Sequence, residues 1–145
     1  MHPAAFRKKV LVVDDEPEER IFLSRLLELG GYEPVLASTA TEGLSKARWE
    51  RPDFIVLAVM FDRKGNLQLF DDLKLDAGLK HIPVVLLSSI DKKMLYQLMA
   101  LPGASRTGCL SRPEGFLVKP PEADDLLGLL RTLTQTEAPD RPVGP

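Results

Sequence analysis

The stretch PDFIVLAVMFDRKG, residues 52–65, decides the fold. Its centre, FIVLAV (54–59), is an unbroken apolar run rich in β-branched residues, which predicts a strand buried on both faces. VLVV (10–13) and PVVLL (83–87) read the same way. EPVLAS (33–38) and GFLV (115–118) are weaker candidates, bringing the expected strands to five. At the tip of the central run, where a reactive side chain would be sought, stands Ala58, with Asp53 and Asp62 flanking it at a distance.

Helical periodicity fills the intervals. From Pro17 to Leu29, the residues Ile21, Phe22, Arg25, Leu26 and Leu29 recur at helical spacing. Glu18 and Glu19 sit in the first turn and Gly30-Gly31 supplies the stop. A second helix is expected over 39–50, opened by Ser38 or Thr39, with Ala40, Leu44 and Ala47 on one face. Further helices are expected over 67–76 (Leu69, Phe70, Leu73), 91–101 (Met94, Leu95, Leu98, Met99) and 122–133 (Leu126, Leu127, Leu129, Leu130, Leu133). Strand and helix thus alternate five times, which predicts a single α/β domain with a parallel sheet covered on both faces.

The 145 residues suit one core, and 44% hydrophobic with 28% charged residues is ordinary for a globular chain. A net charge of -2 exerts no general pull toward nucleic acid or anionic membrane, and no apolar run is long enough to span a bilayer. The basic start followed by VLVV superficially suggests a signal peptide. The run meets Asp14, Asp15 and Glu16 and lacks a small-residue cleavage site, so it reads as the first strand. Cys109 is alone, which excludes an internal disulfide and makes the cytoplasm the expected compartment. His2 and His81 have no metal-ligand spacing, and Trp49 is expected to be partly in the core.

In an open parallel sheet, ligands bind at the carboxyl ends of the strands. There the first strand delivers Asp14 and Asp15, the third Ala58, the fourth Ser88 and Ser89, and the fifth Lys119 followed by Pro120. Two carboxylates, a hydroxyl and an ammonium on one edge are the equipment of a phosphoryl and divalent-metal site. The acids would hold Mg²⁺; the hydroxyl and lysine would hold phosphoryl oxygens.

Four motifs in order, VLVVDDEP, RPDFIVLAVMFDRKG, HIPVVLLSS and GFLVKPPEADDLL, resemble a response-regulator receiver domain of bacterial two-component phosphorelay signalling over about residues 8 to 134. The resemblance implies a flavodoxin-like, doubly wound parallel sheet of five strands in the order 2-1-3-4-5, with five helices. It leaves an extension at 1–7 and a Pro-rich tail at 135–145. Asp14 and Asp15 match the family's acidic, Mg²⁺-binding pair. Ser88 matches the switch Ser/Thr and Phe116 the switch aromatic, although Phe116 lacks a hydroxyl and serves as readily as a core or interface aromatic. Lys119 matches the lysine that contacts the phosphoryl group, and Pro120 the proline after it, whose preceding peptide is often cis. Ala58 falls on the phosphoacceptor aspartate.

A methyl group has no lone pair with which to form an acyl phosphate, so no catalytic residue remains at that position. The resemblance therefore implies an atypical receiver that signals by phosphorylation-independent protein–protein contact and requires no cofactor. Mg²⁺ binding would be weakened by the lost ligand, and Lys119 would lean toward Asp15. Alternatives stay open. Asp62, just past the strand tip, could accept a phosphoryl group; Ala58 could be an engineered change; or the vacated pocket could bind a small molecule. Asp53 is excluded, being roughly 15 Å from the tip at about 3.3 Å per residue.

The expected partners are proteins, a histidine kinase or a downstream effector, with no nucleic acid and no membrane. A homodimer through the face of the fourth helix, fifth strand and fifth helix is also left open. The segment PGASRTGCLSRPEG (102–115) runs about eight residues longer than the family connection, and loops beyond about 12 residues often carry function. It should lie at the end of the sheet opposite the acidic pocket, where Arg106 and Arg112 would suit an acidic partner.

Overall fold

The computed structural model describes residues 7–59, 65–101 and 112–137, apart from the side chains of residues 98, 136 and 137. The elements alternate strictly: β1 (Lys9–Val13), α1 (Pro17–Leu29), β2 (Glu33–Ala37), α2 (Ala40–Glu50), β3 (Phe54–Val59), α3 (Gly65–Leu75), β4 (Val84–Ser88), α4 (Lys92–Met99), β5 (Gly115–Val118) and α5 (Ala123–Glu137). All neighbouring strands pair in parallel, in the order β2-β1-β3-β4-β5. This is the expected doubly wound sheet.

Burial follows position in the sheet. Every residue of β3 and β4 is buried, whereas β2 and β5, at the edges, are mostly half-buried. Side chains alternate between the two faces with a period of two. Leu11, Val13, Ile55, Leu57, Val84 and Leu86 join Ala47, Phe70, Leu73 and Leu95 in one core layer. Val10, Val12, Phe54, Val56, Val85 and Leu87 join Leu23, Leu26, Leu27, Leu126 and Leu130 in the other. The sheet therefore has two separate cores, one under α2, α3 and α4 and one under α1 and α5.

Four expectations are corrected. In α1 the buried stripe is Leu23, Leu26 and Leu27, while Ile21, Phe22 and Leu29 are exposed, Leu29 at 88%. Phe22 and Leu29 keep helical spacing with Leu26, but the face turned to the sheet runs through Leu23 and Leu27. Trp49 is 84% exposed, because the buried line of α2 passes through Gly43 and Ala47 and turns position 49 outward. In α4, Met94 is exposed while Leu95 and Met99 face the core. α5 also continues past 134, to Glu137. In its later turns Thr132 and Thr134 donate their hydroxyls to the carbonyls of Gly128 and Leu130.

The end of the long connection enters at the amino ends of β4 and β5, away from the acidic edge, as expected. Glu114 donates its N–H to the Val84 carbonyl at 3.0 Å. Its carboxylate accepts from the Val84 N–H at 2.7 Å and from Lys74 Nζ at 2.8 Å. Residues 102–111, with Arg106 and Cys109, lie outside the described residues, as do residues 1–6 and 138–145.

α2 approaches β1 through Gly43: a Cβ there would come within 2.9 Å of Val13 Cγ2 and 3.1 Å of Leu69 Cδ2. Gly43→Leu is therefore expected to destabilise the fold by about 1–3 kcal/mol. This reads as a lower urea midpoint with an unchanged slope. A midpoint equal to that of the natural chain would contradict the close approach.

Candidate functional site at the carboxyl edge of the sheet

The register aligns the site. Val13 lies opposite Leu57, Leu57 opposite Leu86, and Leu86 opposite Phe116. One residue further on stand Asp14 and Ala58. Ser88 then pairs with Val59 on one side and Val118 on the other, and Lys119 follows β5 directly. Alternation assigns Asp14, Ala58 and Lys119 to the α1/α5 face of the sheet, shared with Val12, Val56 and Leu117. Ser88 takes the opposite face with Leu86. The sequence-predicted residues thus meet at one edge, divided between two faces.

Asp14 is wholly buried. Its N–H donates to the Ala37 carbonyl at 3.1 Å, extending the β1–β2 ladder, and its carbonyl accepts from Arg20 Nη1 at 2.7 Å. Asp14 Oδ1 accepts the N–H of Glu16, the N-cap of α1, at 3.0 Å. Oδ2 has no hydrogen-bond partner among the described residues and lies 3.5 Å from Lys119 Nζ. Burial pushes the Asp14 carboxyl above its ordinary range; the Glu16 N–H and the Lys119 cation pull it back by less.

Lys119 is the second anchor. Its side chain is only 11% exposed, and Nζ donates to Glu19 Oε1 at 2.6 Å. Its N–H donates to the Ser88 carbonyl at 2.8 Å, and the Lys119–Pro120 peptide is cis. The expected lean toward Asp15 is corrected: the ammonium sits between Glu19 and Asp14, on the α1/α5 face of the sheet. Asp15 is half-buried beside Asp14.

Ala58 is 3% exposed and offers a methyl group. Its carbonyl accepts from the side-chain amide of Asn66, in the first turn of α3. Ser88 is buried, and its Oγ accepts the Ile90 N–H at 3.1 Å, tying the hydroxyl to the turn after β4. Phe116 is half-buried against the α2/α3/α4 core. Asp53 Oδ2 accepts the Lys9 N–H at 2.8 Å, which places it at the amino end of β1, far from the site. Asp62 lies outside the described residues.

Glu19 was legible only as an acid in the first turn of a helix. Nothing in its spacing linked it to Lys119, 100 residues away. Among the described residues, no group of three or more His, Cys, Asp or Glu could hold a metal ion. No helix of the described residues is long and apolar enough to cross a membrane.

A buried carboxylate whose native protonation is favoured costs stability above the ordinary carboxylate range. That cost grows as pH rises through the native titration of Asp14 and vanishes below the ordinary range, where both folded and unfolded chains are protonated. Asp14→Asn is thus expected to raise the stability of the protein at neutral pH. The gain should shrink as the pH falls toward about 4 and be absent below it. Thermal melts across pH measure it; a loss of stability at pH 7 would contradict the assignment.

The family model described as response regulator receiver domain matches residues 10–131. Among curated relatives, the alkaline phosphatase synthesis transcriptional regulatory protein PhoP of Bacillus subtilis is 36% identical over 86 residues, covering 59% of this chain and 35% of PhoP. Protein PilH of Pseudomonas aeruginosa is 29% identical over 85 residues, covering 59% of this chain and 70% of PilH. The response regulator MprA of Mycolicibacterium vanbaalenii is 29% identical over 136 residues, covering 94% of this chain and 54% of MprA. The chain thus spans about a third of PhoP and about half of MprA. Among solved structures, the chemotaxis protein CheY4 of Vibrio cholerae superposes with a TM-score of 0.68 at 28% identity, covering 89% of this chain and 98% of that one. The receiver domain of the Francisella response regulator 1452 shares the fold with a TM-score of 0.71 at 23% identity, over 90% and 99% of the two chains.

Proposed function

Because the chain belongs to the response regulator receiver family of two-component signalling, we propose that it is an atypical receiver, one that works through protein–protein contact without being phosphorylated. The observation that carries this reading is Ala58. It stands at the carboxyl end of β3, one residue past the Val13–Leu57 pair and level with Asp14, and presents a buried methyl where the family pattern calls for a carboxylate. Acyl-phosphate formation needs an oxygen nucleophile, and this side chain has none.

The rest of the edge supports the reading. The lysine that would grip phosphoryl oxygens is held by Glu19 at 2.6 Å. The Ser88 hydroxyl accepts a hydrogen bond from the Ile90 N–H, fixing it in the turn. In the same reading no cofactor is required. Mg²⁺ favours several oxygen ligands in near-octahedral geometry. Among the described residues the side chains offer it Asp14 and Asp15 but no group of three such ligands, and Asp14 Oδ1 is committed to the Glu16 N–H. That donor set does not fit the family's metal, so no step is routed through it. The domain is not an enzyme on this account; its output is a surface held in one state and read by a protein partner, either a histidine kinase or a downstream effector.

Intact-protein mass after incubation with Mg²⁺ and acetyl phosphate tests the reading, with Ala58→Asp alongside. The natural chain is expected to gain no phosphoryl group. The Asp variant is expected to gain one, because the substitution restores both the oxygen nucleophile and the third acid of the metal set. A phosphorylated natural chain would overturn the reading, and loss of that label in Asp62→Asn would assign the acceptor to Asp62.

A further inference from the structure

We infer that Glu19 is the built-in counter-ion of this pocket: a positioning residue on α1 that holds the Lys119 ammonium away from the acceptor position and closes the edge in one state. The inference rests on the reading that Ala58 stands at the acceptor position. It concerns a different residue and a different element.

Glu19 is the third residue of α1, where a glutamate commonly reaches back to the N–H of the N-cap residue. Here that N–H, from Glu16, donates instead to Asp14 Oδ1 at 3.0 Å. Glu19 has no cap to close, and its carboxylate turns across the sheet edge to Lys119. The resulting contact, 2.6 Å between Nζ and Oε1, is at the short limit for a charge-assisted hydrogen bond.

Asp14 competes through its charge alone. Its Oδ2 is 3.5 Å from Nζ and makes no hydrogen bond with it. The surroundings favour the Glu19 contact as well. Glu19 and Lys119 line a groove of about 320 Å³ whose other walls include Phe22, Leu87, Pro120 and Pro121. Apolar walls limit the water that can screen the pair. The carboxylate missing from β3 is thereby replaced, as a partner for the lysine, by one from α1. The replacement comes from the helix and not from the strand tip.

Trace labelling of the full chain with acetic anhydride, read lysine by lysine by peptide mass spectrometry, tests this. Lys74, buried in its own pair with Glu114 at the opposite end of the sheet, is the internal reference. Lys119 is expected to react slowly in the natural chain and about fivefold faster in Glu19→Gln, with Lys74 unchanged, a factor matching an ion pair at the upper end of the partly exposed range. An unchanged Lys119 rate overturns the inference.

If Lys119 and Lys74 both accelerate, the variant has loosened globally and Glu19→Asp decides. Its carboxylate is one methylene short, so a rise at Lys119 alone supports the inference and no rise overturns it. In an Ala58→Asp background, Glu19→Gln should also speed phosphorylation by acetyl phosphate about fivefold, the lysine being released toward the acceptor; an equal or slower rate counts against the inference. The two claims fail separately. Phosphorylation of the natural chain overturns the reading of Ala58 whatever Lys119 does, and an unmoved Lys119 rate overturns the role of Glu19 whatever Ala58 does.

Discussion

The parallel register running from β1 through β3 and β4 to β5 is the constraint on which the rest of this molecule depends. With Val13, Leu57, Leu86 and Phe116 on one line, the next residues of four strands must emerge together at the same edge. A slip of one residue in any strand would carry its core side chains to the wrong face. It would also take Asp14 or Lys119 off the face it shares with Ala58. The two buried layers that fix the register are therefore also what assemble the site.

Within that frame, the edge is a problem in charge. Asp14 is buried with one oxygen engaged and the other without a donor, a costly state that its neighbours relieve only in part. Lys119 lies close enough to offset the charge but spends its hydrogen bond on Glu19. A methyl at position 58 removes the third acid from this balance. The result is an edge whose polar groups are satisfied mostly by one another and by the backbone of the turns: Asp14 by the cap of α1, Ser88 by Ile90, Lys119 by Glu19. This is the arrangement on which the proposed reading, one fixed surface in place of a phosphorylation-driven switch, rests.

Much of this was legible in the sequence. Unbroken apolar runs marked β1, β3 and β4 as central strands because strands covered on both faces cannot alternate with polar residues. The residues after each run, Asp14, Ala58, Ser88 and Lys119, could be read off as the occupants of the edge. Helix phase was harder. The residues Ile21, Phe22, Leu26 and Leu29 recur at helical spacing, yet the side of α1 turned to the sheet runs through Leu23 and Leu27, set by packing against β1 and α5. Trp49 looked like core by composition and is turned outward by the Gly43–Ala47 line that α2 lays on β1. Glu19 could not be found at all. Its role depends on a tertiary approach between α1 and the end of β5, and on Asp14 having taken the cap bond that Glu19 would otherwise make.

The most direct measurement of the central claim is an amide ¹H–¹⁵N spectrum of the natural chain before and after addition of beryllofluoride with Mg²⁺, a mimic of a bound phosphoryl group. The account predicts that the resonances of Asp15, Ser88, Ser89 and Lys119 stay in place, since the edge has no carboxylate at position 58 to receive the mimic and its lysine is already paired. Shifts at those residues that spread through β4, α4 and β5 would contradict it, showing that the pocket still receives a phosphoryl group and transmits its arrival.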